Sequence, residues 1–223
     1  MGFVIMSGVG SEVTVPITGT PLSAFAEGSL IKINESNSPV EFYVAKHNYE
    51  QELNGAGRTL VVRKDCYNQR SWHNANINVY ASSDIDSWLN GDYKNLLDTR
   101  IRKAIGTTKF YYTIGNGNKT ISKLERAVFL LSAAEIGTPS NYVWLNMEGS
   151  ALGIAGMLQT AYLNGVSVDQ WNRSPDITDN TRAAVRNERG GVSSAACDGS
   201  SGCRPCFTLP SGIGVNDDGL VVA

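Results

Sequence analysis

DQWNRSPDITDNTRAAVRNERGG, residues 169–191, and GCRPCFTLPSG, residues 202–212, bracket the stretch on which the reading of this chain turns. Trp171, Arg173 and Pro175 stand at one end, and Arg204, Pro205 and Phe207 at the other. Tryptophan and phenylalanine carry large apolar bodies that need burial. Arg204, between a cysteine and a proline, suits a structural guanidinium that satisfies loop carbonyls or an acid. The middle is Asp, Thr, Asn, Arg, Glu and Ser, with almost nothing to bury. Firm ends around a polar middle describe a rigid scaffold that displays a binding face. The plainer alternative is an ordinary hydrated connection, since connecting segments are commonly polar.

Outward from that stretch, SLIKIN (29–34) and VEFYVAK (40–46) are β-rich runs around the turn-forming ESNSP, which predicts a hairpin. TLVVRKD (59–65) follows the turn NGAG (54–57) as a third strand. SSDIDSWLNGDYKNLLDTRIRKAIG changes period: Ser82, Ser83 and Asp84 are candidate caps before Ile85, Trp88 and Leu89. Gly91 is expected to break that run. Tyr93, Leu96, Leu97, Ile101 and Ile105 then recur at helical spacing up to Gly106. KFYYTI (109–114) with the turn GNGNKT, and RAVFLLS (126–132), read as strands, and SAAEIG (132–137) as a short helical turn capped by Gly137. Residues 140–167 are irregular and aromatic. Short strands are expected around 183–185, 190–193, 206–210 and 219–223. Two helices among many short strands make an α+β domain over 28–223. Residues 1–27 lack a core of their own and read as a tether or oligomerisation arm.

The chain has 223 residues and a formal charge of −2, enough for one sizeable core. A near-neutral balance gives no reason to expect nucleic-acid or anionic-membrane partners. No apolar run is long enough to span a bilayer, and MGFVIMSGVGSEVTVP has no basic lead, so synthesis in the cytoplasm is expected. CDGSSGCRPC has no second CxxC or nearby histidine, so no metal and no cofactor are expected, and Cys66, Cys197, Cys203 and Cys206 read as buried thiols or one strained disulfide. His47 and His73 lie in no catalytic motif and read as structural.

SSDIDSWLN (82–90), RAVFLLSAAEIG (126–137), AYLNG (161–165), WNRSP (171–175) and GCRPCFTLPS (202–211) together resemble a domain of unknown function widespread in phages, prophages and gut bacteria. The match runs from about residue 28 to 215. That family is similar to C-type lectin-like domains, in which two helices pack on short mixed or antiparallel sheets beneath long loops. The same broad fold serves phage receptor-binding proteins and the variable proteins of diversity-generating retroelements. The resemblance therefore implies a non-enzymatic receptor-binding or adhesin protein of a phage or prophage particle, with a diversified face at about 172–201. Several family members carry an aromatic residue near position 184 and a different residue at 172, where this chain has Ala184 and Asn172. The lectin motifs EPN, QPD and WND are absent, so calcium-dependent sugar binding is not implied.

Within that face, Arg182 and Arg189 are expected to grip carboxylates or phosphates. Asn172, Asn180, Asn187, Ser193 and Ser194 supply adaptable hydrogen bonding, joined by Asp176, Thr178 and Asp179. Trp171, Arg173, Pro175, Arg204 and Phe207 hold the frame. The expected partners are a host-cell surface protein or glycan and other virion or tail proteins, with a homotrimer as the expected assembly and the particle, or release from the host cell, as the expected location. Two alternatives stand: an enzyme of the formylglycine-generating branch using Cys203 and Cys206, and a structural virion decoration protein.

Overall fold

The structure is a computed structural model that describes residues 19–222. Two five-stranded sheets carry the molecule. In the first, Leu30–Glu35 pairs with Ser38–His47, then come Arg58–Arg63, Cys206–Pro210 and, at the far edge, Val128–Phe129, all antiparallel. The predicted hairpin closes through Ser36 (φ 48°) and Asn37 (φ 65°). Two left-handed residues form the turn whose twist matches that of the flanking strands. The second sheet runs Val192–Ala196, Arg182–Arg186, Gln170–Pro175, Ser201–Cys203, Asn68–Arg70. Its pairs are antiparallel except that Gln170–Pro175 lies parallel to Ser201–Cys203. A separate hairpin, Thr108–Gly115 with Asn118–Arg126, packs alongside.

The core is continuous between these layers. Phe42 and Phe207 pack at 5.5 Å between ring centroids, and Phe110 stacks on Phe129 at 4.5 Å. Trp72, Tyr80, Tyr93 and Trp171 are fully buried around them. The molecule is thus mixed α+β, mostly strand with few helical segments. No helix among the described residues is long and apolar enough to cross a membrane.

Several local expectations hold and others change. Ser83 caps the helix Asp84–Trp88, its Oγ accepting from Asp86 N at 3.2 Å. Gly91 does not break the run. Asp84–Trp88 continues through one π turn, Leu89–Tyr93, into Lys94–Leu96, so that Leu89 and Tyr93 both stay buried. The break falls at Leu97, whose extended backbone bridges to Glu35 while Ser36 N donates to Leu96 O. Tertiary pairing there outweighs helical periodicity. Asp98 then caps Thr99–Ala104.

Of RAVFLLS, Arg126 ends the preceding strand and Val128–Phe129 forms a short one of its own, which goes no further because Tyr80 Oη and Arg173 claim the backbone of Leu130 and Leu131. Residues 132–137 form a single turn in which Thr138 N donates to Ala133 O and Gly137 N to Ala134 O, with Gly137 at φ 81°. This paired closure is the glycine-dependent Schellman stop.

The domain also begins earlier than expected. Thr20–Pro21 pairs with Gly214–Val215, and Leu22 is fully buried. Residues 19–27 are therefore part of the domain, drawn in by Leu22, and the rest of the expected arm, 1–18, lies outside the described residues.

Candidate functional site

All five frame residues are buried. Trp171 Nε1 donates to Arg70 O at 2.8 Å. Arg204 donates to the carbonyls of Arg63, Lys64, Leu158 and Thr160, the loop-binding role its sequence context suggested. Arg173 anchors a buried ion network, reaching Glu135 through two nitrogens at 2.7 and 3.1 Å and lying 3.8 Å from Glu148. It also donates to Tyr111 O and Leu130 O, while Tyr49 Oη donates to Glu135 at 2.5 Å. Glu148 accepts from Thr113 N and Ser174 Oγ, yet burial raises its pKa above the usual carboxylate range. Such a network, completely partnered, fixes the strand Gln170–Pro175 against the turn at 132–137.

The residues expected to face a ligand divide into three groups. Asn172 is a correction: it is only 1% exposed, in the middle of a sheet strand whose six residues are all buried. Its side-chain amide finds no hydrogen-bond partner, and its backbone carbonyl accepts from Trp72 Nε1 at 2.9 Å. Ala184 is buried too, packed near Ala133 and Leu145, so positions 172 and 184 belong to the interior. Asp176, at 7% exposure, is another partial correction, its Oδ1 being spent on Thr178 N and Oγ1.

A second group shapes the loops. Asp179 Oδ1 accepts from Thr181 N and Oγ1, which hold its pKa below the ordinary value. Asn187 Oδ1 accepts from Arg189 N and Gly191 N, closing the turn between two strands. Arg182 Nε donates to Ser194 Oγ at 2.9 Å and its Nη2 to Ser194 O. The third group is open: Thr178, Asn180, Arg189 and Ser193 are exposed.

Tertiary structure adds two residues that sequence reasoning passed over. Tyr142 and Trp144 form an edge-on aromatic pair, 5.9 Å between centroids. With Asp176, Thr178, Val192, Ser193 and Ser194 they line one shallow concavity of about 350 Å³. Ile177 N donates to Trp144 O, which ties the aromatic segment to the 176–178 turn. Beside them Val143 is 84% exposed. The signal available in sequence was NYVWLN, apolar yet without helical or strand period.

Chemistry of the nucleophilic kind finds little support in the other candidates. All four cysteines are free and buried, and burial pushes the Cys66 thiol up to about 11 and Cys197 up to about 12. Cys203 and Cys206 are raised as well, chiefly by burial. A thiolate is the reactive form, so these sulfurs are packing groups at neutral pH. His47 is held between Thr59 Oγ1 and Phe25 O, a structural position. It borders a second concavity, about 480 Å³, walled by Tyr49, Glu50, Tyr111 and Ser150. Among the described residues no group of His, Cys, Asp and Glu is arranged to hold a metal ion.

The family model described as Domain of unknown function (DUF6273) matches residues 56–211, a span that contains both sheets' central strands and the concavity. No curated protein and no solved structure matches the chain.

Proposed function

The chain belongs to the DUF6273 family, and from that premise we propose that it is a non-enzymatic ligand-binding module whose face is the concavity between Tyr142–Trp144, the 176–178 turn and the strand Val192–Ala196. One observation carries this reading. Thr178, Ser193 and Ser194, selected from sequence as polar and free of core duties, converge with two aromatic side chains in one open depression. Aromatic platforms beside hydroxyls bind by area and adaptable hydrogen bonding. The frame beneath is rigid and separately held by Arg173 and Arg204, so the rim can vary at little cost to the core.

In the finer form of the proposal, the fold is C-type lectin-like and the face recognises a host-cell surface protein or glycan from a phage or prophage particle, with retroelement diversification of the exposed positions. Burial of positions 172 and 184 narrows the variable set to the exposed positions Thr178, Asn180, Arg189 and Ser193. The formylglycine-type alternative is disfavoured by thiols buried at raised pKa.

The test is binding of labelled protein to a panel of gut bacterial cells and to a glycan array. Thr178→Arg combined with Ser193→Arg, both at exposed positions of the concavity, should abolish binding while the melting temperature stays within a few degrees, the range expected for surface changes. Undiminished binding by that variant refutes the assignment of this face.

A further inference from the structure

The second sheet ends on Val192–Ala196, and its hydrogen-bond register shows what that edge offers. Asn187 N donates to Gly191 O and Cys197 N to Thr181 O, with Arg182 opposite Ala196 and Ala184 opposite Ser194. Bonded pairs alternate in an antiparallel ladder, so Ser193 and Ala195 turn their backbone groups inward. Val192, Ser194 and Ala196 turn theirs outward. Ser194 O is taken by Arg182, and Ala196 O by Gly199 N. Three N–H groups and the Val192 carbonyl are left without a partner among the described residues.

The other edges are treated differently. Leu30–Glu35 is covered: Lys32 N donates to Gly219 O and Glu35 bridges to Leu97. The outer side of Val128–Phe129 is closed by the Asn90 side chain, which bonds Val128 N and O. Asn118–Arg126 is exposed but carries Lys119, Lys123, Glu125 and Arg126, the charges that discourage pairing with another chain. Asn68–Arg70 is three residues long and ends on an arginine. By contrast the residues of VSSAA carry no charge, no proline and no bulge across five paired positions, and the Arg182 guanidinium covers the Ser194 carbonyl but none of the outward N–H groups. It also borders the aromatic concavity through Val192, Ser193 and Ser194.

We propose that the ligand of this face is an extended polypeptide segment of a partner protein, added antiparallel as a sixth strand on Val192–Ala196. The outward N–H groups of Val192, Ser194 and Ala196 meet its carbonyls, and apolar side chains at alternate positions settle on Tyr142 and Trp144. Main-chain bonding gives affinity and the alternate pockets give selectivity, the division seen wherever a peptide extends a sheet. The inference rests on the reading of this face as the ligand site and adds the class of ligand.

The full chain is immobilised and a displayed library of random decapeptides is selected on it, with affinities of the enriched peptides measured by fluorescence anisotropy. The decisive variants are Ser194→Ala, which removes the hydroxyl, and Ser194→Pro, which removes an N–H that no ladder bond uses. Enriched peptides should alternate apolar residues and bind Ser194→Pro about tenfold more weakly than Ser194→Ala, or worse, since the two variants both lack the hydroxyl and differ in the N–H, the worth of a well-made hydrogen bond. Amide exchange by NMR should show new protection at Ser194 on binding. Should Ser194→Pro fail to fold, Ala196→Pro, whose N–H also points outward, replaces it. No enriched peptide, equal binding by the proline variant, or a Ser194 amide already protected in a self-associated protein would overturn the strand-addition proposal. A glycan that binds the parent and Ser194→Pro equally, yet fails on Trp144→Ala, would remove this inference and leave the face intact.

Discussion

Replacing Arg173 by methionine isolates the buried network that holds the strand Gln170–Pro175. Arg173, Glu135 and Glu148 are all fully buried, and the arginine is the cation facing both carboxyls. Without it, Glu148, whose pKa burial already raises, loses the guanidinium that pulls it down and must take a proton to remain in the interior. A carboxyl with an ordinary pKa of 4.5 pays about 3 kcal/mol to be neutral at pH 7. Tyr111 O and Leu130 O lose their guanidinium donors as well, at about 1 kcal/mol each. The summed loss, about 4–6 kcal/mol, agrees with the range of about 3–5 kcal/mol for breaking a buried pair and is a large share of a domain's stability. Urea unfolding followed by tryptophan fluorescence, at pH 5 and pH 7, measures it. In the variant the folded pKa of Glu148, raised by burial and no longer pulled down by Arg173, lies above its unfolded value, so stability is retained at low pH and lost as pH rises. The destabilisation should therefore shrink by about 2–3 kcal/mol from pH 7 to pH 5. Adding Glu135→Gln should restore part of the loss, because the two positions are coupled. A loss below about 1.5 kcal/mol, or one independent of pH, would refute the account of Arg173 as the counter-charge of the core.

Asp86 supplies a pH signature of its own: burial, acting against the pull of Arg126 at 2.7 Å, raises its pKa from 3.8 to about 6. Its contribution is complete below pH 3.8 and lost as pH rises through 6, so wild-type stability relative to Asp86→Asn should fall by about 3 kcal/mol from pH 3.5 to pH 8. A flat difference between the two urea profiles would contradict that. Gly202→Ala places a Cβ 2.5 Å from Cys66 Sγ and 2.9 Å from Asp169 O, so about 1–3 kcal/mol of stability should go, read as a lowered urea midpoint. The four thiols, finally, should resist Ellman's reagent in the native state and all react in denaturant. A single fast thiol at neutral pH would reopen the enzymatic alternative.

Sequence alone determined the elements whose rules are local. The hairpin at 30–47, the cap at Ser83 and the stop at Gly137 follow from turn chemistry, capping oxygens and left-handed glycine, which neighbouring residues decide. The frame was readable for a related reason: Trp171 and Phe207 carry apolar bodies that need burial, and Arg204, between a cysteine and a proline, suits a guanidinium that satisfies loop carbonyls. What sequence could not decide is which polar residues of 172–201 reach solvent. A strand in the middle of a sheet buries both of its faces, so Asn172 went inside despite its amide, and Asp176 spent its carboxylate on its own turn. Tyr142 and Trp144 arrived from a segment without period, brought beside Ser193 by sheet order and by one backbone bond to Ile177. Even the helix break moved from Gly91 to Leu97, because a bridge to Glu35 cost less than continuing the helix. Local rules fix elements; which side of each element faces water is fixed only when distant strands choose their neighbours.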